Sequence, residues 1–298
     1  MTLKDPRFTG AFTAITTPFT PDGSAIDFVR LEEQVAFQAK NGIAGIVIAG
    51  TTGESPTLSE AEWRQLALRG IAAAKQGGIL AIVGTGSNST AHACHLQREA
   101  KEMGADATLS VNPYYNKPTQ EGLRRHFETV ASAAEVPVML YNIPGRTGVA
   151  LTPAAVSKLC QHPRIVAVKE ATGSTDSASE IAMRCPELAL LSGDDSMTLP
   201  FASVGAVGVV SVVSNILPAR VAALCTTLLQ DQWLQALAIH RELFEFCRVM
   251  FLETNPIPVK AALKMLGRDT GAMRLPMCEP APETMTALKK ALAAQRLL

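Results

Sequence analysis

Short apolar runs alternate with segments of helical spacing along most of the chain. The runs are rich in β-branched residues and almost continuously hydrophobic, which is the pattern of strands covered on both faces. They predict eight strands, at residues 10–18, 45–50, 80–85, 107–112, 137–142, 165–170, 188–192 and 207–212.

Helices are predicted in the intervals between these strands. Ser59 followed by Glu62 forms a capping-box pattern, and Thr152 before Pro153 places a proline at the first helical position. The segments of helical spacing lie at residues 27–41, 59–76, 90–103, 119–134, 152–160, 174–184 and 195–204. After about residue 217 the strand signals stop, and further helices are expected at 219–230, 232–252, 256–266 and 282–296.

Eight strands alternating with helices over about 220 residues predict an α/β fold of the (β/α)8 TIM-barrel type, which typically takes about 250 residues. A doubly wound open sheet is the competing architecture, because periodicity alone does not separate the two. The barrel is expected to span residues 1–225 and to carry the functional site. A C-terminal helical domain is expected at residues 226–298.

The composition narrows the class of protein. Lys plus Arg and Asp plus Glu each number 27 among 298 residues, so the chain lacks the basic excess of proteins that bind nucleic acid or anionic membranes. No apolar stretch reaches the roughly 18 residues of a transmembrane helix, and the first ten residues lack the apolar segment of a secretory signal. Six scattered cysteines without a C-x-x-C pair suit reduced thiols, so a cytoplasmic protein is expected.

Lys169 lies in an apolar run, residues 165–171, that otherwise predicts a buried strand. Burial disfavours the charged form of an amine and lowers its pKa. A neutral lysine is a nucleophile that forms Schiff bases with carbonyl substrates. The competing interpretation is a lysine at the solvent end of a strand, extended into water or paired with Glu170.

Other polar residues collect where the predicted strands end, which is the edge at which TIM barrels carry their active sites. All three tyrosines of the chain, Tyr114, Tyr115 and Tyr141, lie in these segments. A tyrosine hydroxyl beside a Schiff-base lysine can transfer protons. Packing at the barrel rim would also account for any one of these tyrosines.

Two of the strand-end loops could bind carboxylates. Thr51 and Thr52 lie between glycines and offer hydroxyls and backbone N–H groups, although an ordinary glycine turn has the same pattern. Arg146 could hold a second carboxylate in a bidentate pair, or it could be a solvated surface residue. The histidines within residues 92–95 lack a further ligand at metal-binding spacing, so no metal site is expected.

Six short motifs occur together over most of the chain. They are GTTGES at 50–55, NPYYNKP at 112–118, YNIPGRTG at 141–148, VKEATG at 168–173, SGDD at 192–195 and NPIPVK at 255–260. In these motifs the chain resembles the dihydrodipicolinate synthase family, among the pyruvate-dependent class I aldolases and lyases. The resemblance covers essentially the whole length.

The resemblance implies catalytic roles for four residues. Lys169 would form an imine with pyruvate, and Tyr141 would hand protons to and from that imine. Thr51 and Tyr115 would complete a relay of hydroxyls to bulk water. Because Tyr115 would reach into a neighbouring subunit, self-association is implied, with a homotetramer expected and a dimer left open.

The resemblance also implies a substrate-binding set. Thr52 would hold the carboxylate of pyruvate, in a pocket that Val210 and Gly193 line. Arg146 would bind the carboxylate of the second substrate. No metal or organic cofactor is implied, and no nucleic acid or membrane partner.

The implied reaction condenses pyruvate with L-aspartate 4-semialdehyde through a lysine Schiff base, giving 4-hydroxy-tetrahydrodipicolinate for lysine and diaminopimelate biosynthesis. The nearest alternative is a sibling aldolase or lyase acting on a sugar-derived 2-keto acid. Arg146 favours the semialdehyde, because sugar-acid relatives usually carry other residues after Tyr-Asn-Ile-Pro. A barrel that binds phosphate or flavin lacks support, since no glycine-rich phosphate loop follows the last two strands. A non-catalytic relative is disfavoured because every matched catalytic position is filled.

Feedback inhibition by lysine, common among such relatives at a site between subunits, is expected to be weak or absent. Three residues match the pattern of that site: Ser55, Asn88 and Tyr114. His92, however, replaces the glutamate that meets the amine of lysine. Glu60 and Trp63 also stand where sensitive enzymes commonly carry histidines.

Overall fold

A computed structural model describes residues 2–298 of the chain. Over these residues, eight parallel strands close into a barrel in sequence order, with the eighth strand paired to the first. The closed barrel confirms the predicted TIM-barrel architecture and excludes the open sheet. The strands are β1 Gly10–Ala14, β2 Gly45–Ile48, β3 Leu80–Gly84, β4 Ala107–Val111, β5 Val138–Asn142, β6 Ile165–Glu170, β7 Ala189–Ser192 and β8 Gly208–Ser211.

Helices cover the outside of the barrel and extend beyond it. Those up to the eighth strand are α1 Phe28–Lys40, α2 Glu60–Gly77, α3 Thr90–Glu102, α4 Gln120–Ser132, α5 Pro144–Thr147, α6 Pro153–Leu159, α7 Thr175–Arg184 and α8 Thr198–Ala202. The later ones are α9 Pro218–Leu229, α10 Trp233–Val249, α11 Ile257–Met265 and α12 Pro282–Ala294. Within residues 2–298, no helix is both long and apolar enough to cross a bilayer.

Alternation along the strands separates two sets of side chains. One set fills the interior of the barrel and includes Phe12, Val47, Met139 and Leu191, all buried. The other set packs outward under the helices, as Leu140 and Val168 do in the cluster that also contains residues of α4, α6 and α7. Both faces of the strands are therefore apolar, which explains their continuous hydrophobic runs.

The structure departs from the predicted elements in three places. β1 ends at Ala14 instead of residue 18, and the chain beyond it forms an isolated antiparallel bridge between Phe19 and Ile26. The helix expected at 195–204 is divided into a 3-10 turn, Asp195–Met197, and α8. The short α5 was not predicted; Pro144 begins it and Gly148, in the left-handed conformation, ends it.

α9 closes the barrel as its eighth helix. Its buried residues Val221 and Leu224 pack with Ala11 of β1 and Val209 of β8 in one core cluster. The domain boundary expected between residues 225 and 226 falls inside this helix. We propose instead that the C-terminal extension begins after Leu229, so that it comprises α10, α11 and α12.

Candidate active site

Lys169 and Tyr141 lie side by side at the carboxyl end of the barrel. The register of β5 with β6 pairs Tyr141 directly with Lys169, and the Lys169 Nζ lies 4.1 Å from the centre of the Tyr141 ring. Each residue is only 5% exposed. Adjacent parallel strands thus bring together an amine and a phenol inside the barrel.

Glu170 does not neutralise Lys169. Successive strand residues point to opposite faces, and the Glu170 carboxylate accepts hydrogen bonds from the Asn142 Nδ2 at 2.9 Å and the Thr172 backbone N–H at 2.8 Å. The interpretation of Lys169 as a solvent-exposed or Glu170-paired lysine is therefore wrong, because the amine is buried and the carboxylate is bound elsewhere.

Burial in the barrel lowers the pKa of Lys169 to about 7. The negative charge of Asp195 opposes this shift, and the positive charge of Arg146 adds to it. At pH 7 about half of the amine is then neutral, compared with about one molecule in 2,500 for an unperturbed lysine. Burial raises the pKa of Tyr141 to about 12, against a lowering effect of hydrogen bonding with Thr51. Tyr141 therefore keeps its proton at neutral pH and can serve as a proton donor.

Asp195 is the buried carboxylate whose charge acts on Lys169. It accepts hydrogen bonds from the Ser211 hydroxyl and from the backbone N–H groups of Val212, at 2.9 Å, and Val213, at 3.1 Å. These bonds fix the 3-10 turn that divides the predicted helix at 195–204. Burial nevertheless raises the pKa of Asp195.

Gly193 permits the end of β7 to pack against the lysine. A Cβ at this position would lie 2.7 Å from the Ala171 Cβ and 3.1 Å from the Lys169 Cγ. Any larger residue would press on the Lys169 side chain. Val210 lies on β8 in the same buried interior cluster as Tyr141.

A cavity of about 460 Å³ opens beside this pair. Thr51, Tyr141 and Arg146 line it, and Lys169 lies against the ring of Tyr141 without being one of the lining residues. The cavity continues outward to a second group of lining residues: Ser55, Glu60, Trp63, His92 and Tyr114. Its volume is that of a small-molecule site.

Thr52 and Arg146 are connected through Asn255. The Asn255 Nδ2 donates to the Thr52 Oγ1 at 2.9 Å, and the Arg146 Nη2 donates to the Asn255 carbonyl oxygen at 3.1 Å. Thr52 is buried, whereas Arg146 is exposed on α5 at the rim of the cavity. The two predicted carboxylate-binding residues therefore sit on either side of one asparagine.

Tyr115 is not brought to Lys169 within a single chain. It is 89% exposed and lies outside the lining of the cavity, with a φ of +72° that a bulky side chain rarely adopts. Tyr114 is 40% exposed and does line the cavity. The role expected for Tyr115, in a neighbouring subunit, stays a prediction.

Three residues of the site region have no role predicted from the sequence. They are Glu54, in the motif at 50–55, and Asn255 and Lys260, in the motif at 255–260. Lys260 carried a usable signal, because it interrupts an apolar segment just as Lys169 does. In the structure its side chain is completely buried and its Nζ lies 2.6 Å from the Glu54 Oε1. Among residues 2–298, no group of three or more His, Cys, Asp and Glu is arranged to hold a metal ion.

A model of the dihydrodipicolinate synthetase family matches residues 7–295. The 4-hydroxy-tetrahydrodipicolinate synthase of Endomicrobium trichonymphae is 45% identical over 286 residues, covering 96% of this chain and 97% of that protein.

Solved structures agree with the sequence matches. The 4-hydroxy-tetrahydrodipicolinate synthase from Methylacidiphilum fumariolicum SolV is similar at 45% identity and a TM-score of 0.94, covering 97% of this chain and 96% of that one. A structure described as the first monomeric dihydrodipicolinate synthase variant is similar at 36% identity and a TM-score of 0.95, covering 98% of each chain.

The contact between Gly193 and Lys169 leads to a prediction. In Gly193→Ala, the new methyl group should displace the lysine side chain and slow borohydride trapping of a small 2-keto acid on Lys169 roughly tenfold to a hundredfold. Gly145→Ala is the matched control, because a Cβ there meets nothing within 4 Å. Equal trapping rates in the two variants would show that the close approach is unimportant.

Proposed function

The chain belongs to the dihydrodipicolinate synthetase family, and we propose that the mouth of its barrel is the site at which pyruvate condenses with L-aspartate 4-semialdehyde. It is an enzyme of the Schiff-base lyase type, and relatives matching nearly the whole chain carry out this reaction by name. These matches favour the condensation over a sugar-acid aldolase. The observation that carries the assignment of the site is the buried Lys169 amine against the Tyr141 ring.

In this proposal, the neutral amine of Lys169 attacks the ketone carbon of pyruvate. Tyr141 donates its proton to the departing hydroxyl, so that water leaves and the C=N bond of an imine forms. The depressed pKa of Lys169 supports its role as the group that gives an electron pair, and Tyr141, which is protonated at neutral pH, has a proton to give. Thr51 lines the same cavity as Tyr141, lowers its pKa and would pass the proton onward.

The carbon–carbon bond would form in the second half of the reaction. The protonated imine withdraws electrons, so the methyl group of pyruvate loses a proton to the Tyr141 phenolate left by the first step, and an enamine forms. The enamine carbon attacks the aldehyde carbon of the second substrate, whose oxygen takes the proton back from Tyr141 and whose carboxylate pairs with Arg146. The amine of that substrate then replaces the nitrogen of Lys169 at the imine carbon, which closes the ring and frees the enzyme.

Binding of pyruvate would use the loop after β2. The Thr52 hydroxyl and neighbouring backbone N–H groups would hold the carboxylate, with Val210 and Gly193 packing around the keto acid. Hydrogen bonding from Asn255 to Thr52 supports this role, because it fixes the hydroxyl of a buried threonine. Arg146, exposed at the rim of the same cavity, would meet the second carboxylate.

We also propose a cytoplasmic homotetramer. Outward exposure of Tyr115 supports contact with a neighbouring copy, in which its hydroxyl would join the relay of that subunit. The monomeric relative shows that this fold does not by itself dictate association. Six free cysteines, five of them buried, suit a reducing compartment.

The first test is chemical trapping. With pyruvate and borohydride, peptide mapping by mass spectrometry should place a single stable adduct on Lys169. The adduct should be absent in Lys169→Ala and present in the exposed control Lys290→Ala. Adduct on another lysine, or none in the parent, would contradict the mechanism.

Arg146→Ala should separate the two substrates. Loss of charge-assisted hydrogen bonds should raise the KM for L-aspartate 4-semialdehyde roughly tenfold to a hundredfold. Imine trapping should slow much less. Because Arg146 also lowers the pKa of Lys169, the remaining loss should shrink as the pH is raised. Arg125→Ala, at a 75% exposed side chain on α4, is the control, and parallel losses of both activities would remove Arg146 from this role.

Lysine should inhibit weakly or not at all. Ser55, Tyr114 and His92 line the outer part of the cavity, but the nearby Glu60 is engaged by His95 at 2.7 Å, so no free carboxylate awaits the amine of lysine. His92→Glu should create or strengthen inhibition. Steady-state assays with lysine compare the two proteins, and strong inhibition of the parent below 1 mM would refute the expectation.

A further inference from the structure

The loop that follows β2 is held from three directions. The Thr52 Oγ1 accepts from Asn255, as described above. The Gly53 carbonyl oxygen accepts from the Thr17 hydroxyl at 2.7 Å. The Glu54 carboxylate is bound by Lys260. Three consecutive residues are thus fixed by groups outside the loop, while Thr51, the residue before them, faces the cavity.

The Glu54–Lys260 pair is the most buried of these attachments. The side chains are 2% and 0% exposed, and the Lys260 Nζ also donates to the Thr17 carbonyl oxygen at 2.9 Å. The same Nζ lies 4.4 Å from the centre of the Phe19 ring. The second Glu54 oxygen accepts from the Arg274 backbone N–H at 3.0 Å. Both charges are therefore fully engaged within the protein.

Stability alone does not account for such a pair. Removing two charges from water costs about as much as their attraction returns, and apolar residues of similar volume often stabilise a protein equally or better. What the pair supplies is a defined geometry, because a buried carboxylate has only one arrangement that satisfies both oxygens here. Glu54 also occupies the left-handed region, with a φ of +53°, which surrounding contacts must maintain.

We propose that Lys260, on α11 of the C-terminal extension, is a positioning residue for the pyruvate-binding loop. Lys260 acts through Glu54. The pair fixes the position of Thr51 and Thr52 in the loop, and therefore their distance from Lys169. This inference rests on the proposed function, in which that loop holds the carboxylate of pyruvate. It gives the C-terminal extension a part in substrate binding without any contact between Lys260 and the substrate.

The test replaces both charges together. Glu54→Leu combined with Lys260→Met keeps apolar volume in the core and removes both charges of the pair. Asp269, a buried carboxylate whose pKa is raised by burial and lowered by Lys260, keeps its hydrogen bonds from Gln34 and the Gly271 backbone N–H. The pyruvate concentration for half-maximal borohydride trapping on Lys169 should rise about tenfold or more, as expected for a displaced binding group. The KM for the semialdehyde, held at Arg146, should change less than threefold.

Glu62→Gln is the matched control. It breaks the side-chain ion pair that joins Glu62 to Arg274, at 2.5 Å, between the start of α2 and the same C-terminal extension, and it leaves the backbone N–H of Arg274 in place to bond Glu54. It should lower the melting temperature and leave both substrate constants within twofold. A merely structural role for Lys260 would produce this same behaviour in the double variant.

The inference is overturned if the double variant folds and its half-saturation by pyruvate stays within twofold of the parent. If the double variant fails to fold, Glu54→Gln combined with Lys260→Met carries the same expectation and the same refutation, because both charges of the pair are again removed and the amide oxygen can still accept from the Arg274 backbone N–H. Adduct formation by the parent separates the two claims: a parent that traps no pyruvate refutes the proposed function together with this inference.

Discussion

Desolvation of one amine is the constraint on which the site depends. Lys169 is buried inside a barrel whose other interior residues are apolar, and burial is the largest cause of its lowered pKa. Each pKa unit corresponds to about 1.4 kcal/mol, so the fall to about 7 costs about 5 kcal/mol of folding free energy below that pH. Between about pH 7 and 10.5 the unfolded chain binds more protons at this residue, so its contribution makes the protein more stable as the pH rises. A protein keeps such a cost where the neutral amine is needed.

Two charged groups near Lys169 shift its pKa in opposite directions. Burial lowers the pKa of Lys169 most, Asp195 favours the protonated form and Arg146 favours the neutral one, and together they leave the pKa at about 7. That position suits a nucleophile that must later leave as an amine. Tyr141, held in its protonated form by the same burial, supplies the proton that an imine-forming step requires. Burial therefore lowers the pKa of the amine and raises the pKa of the phenol beside it.

Local pattern was sufficient to predict most of the fold and the position of Lys169 in a buried strand. Eight apolar runs marked the strands, and a cation within one of them marked Lys169. Contacts between distant parts of the chain could not be predicted from the sequence. Glu54 and Lys260 are 206 residues apart, and neither motif indicates that these two residues form a pair. The helix division near Asp195 was missed for a similar reason, because bonds from β8 and the turn after it impose it. The boundary expected at 225 and 226 stays a prediction that the sequence alone does not fix, because only tertiary packing distinguishes a helix that closes a barrel from one that follows it.

The most direct test of the account is the titration of Lys169 in the enzyme without pyruvate. Competitive labelling of amines with a trace acylating reagent, read by mass spectrometry across pH 5 to 11, reports the neutral fraction at each lysine. Lys169 should titrate with a midpoint near 7, well below the ordinary lysine value of about 10.4. A midpoint for Lys169 at or above that ordinary value would contradict the claim that burial makes it a nucleophile.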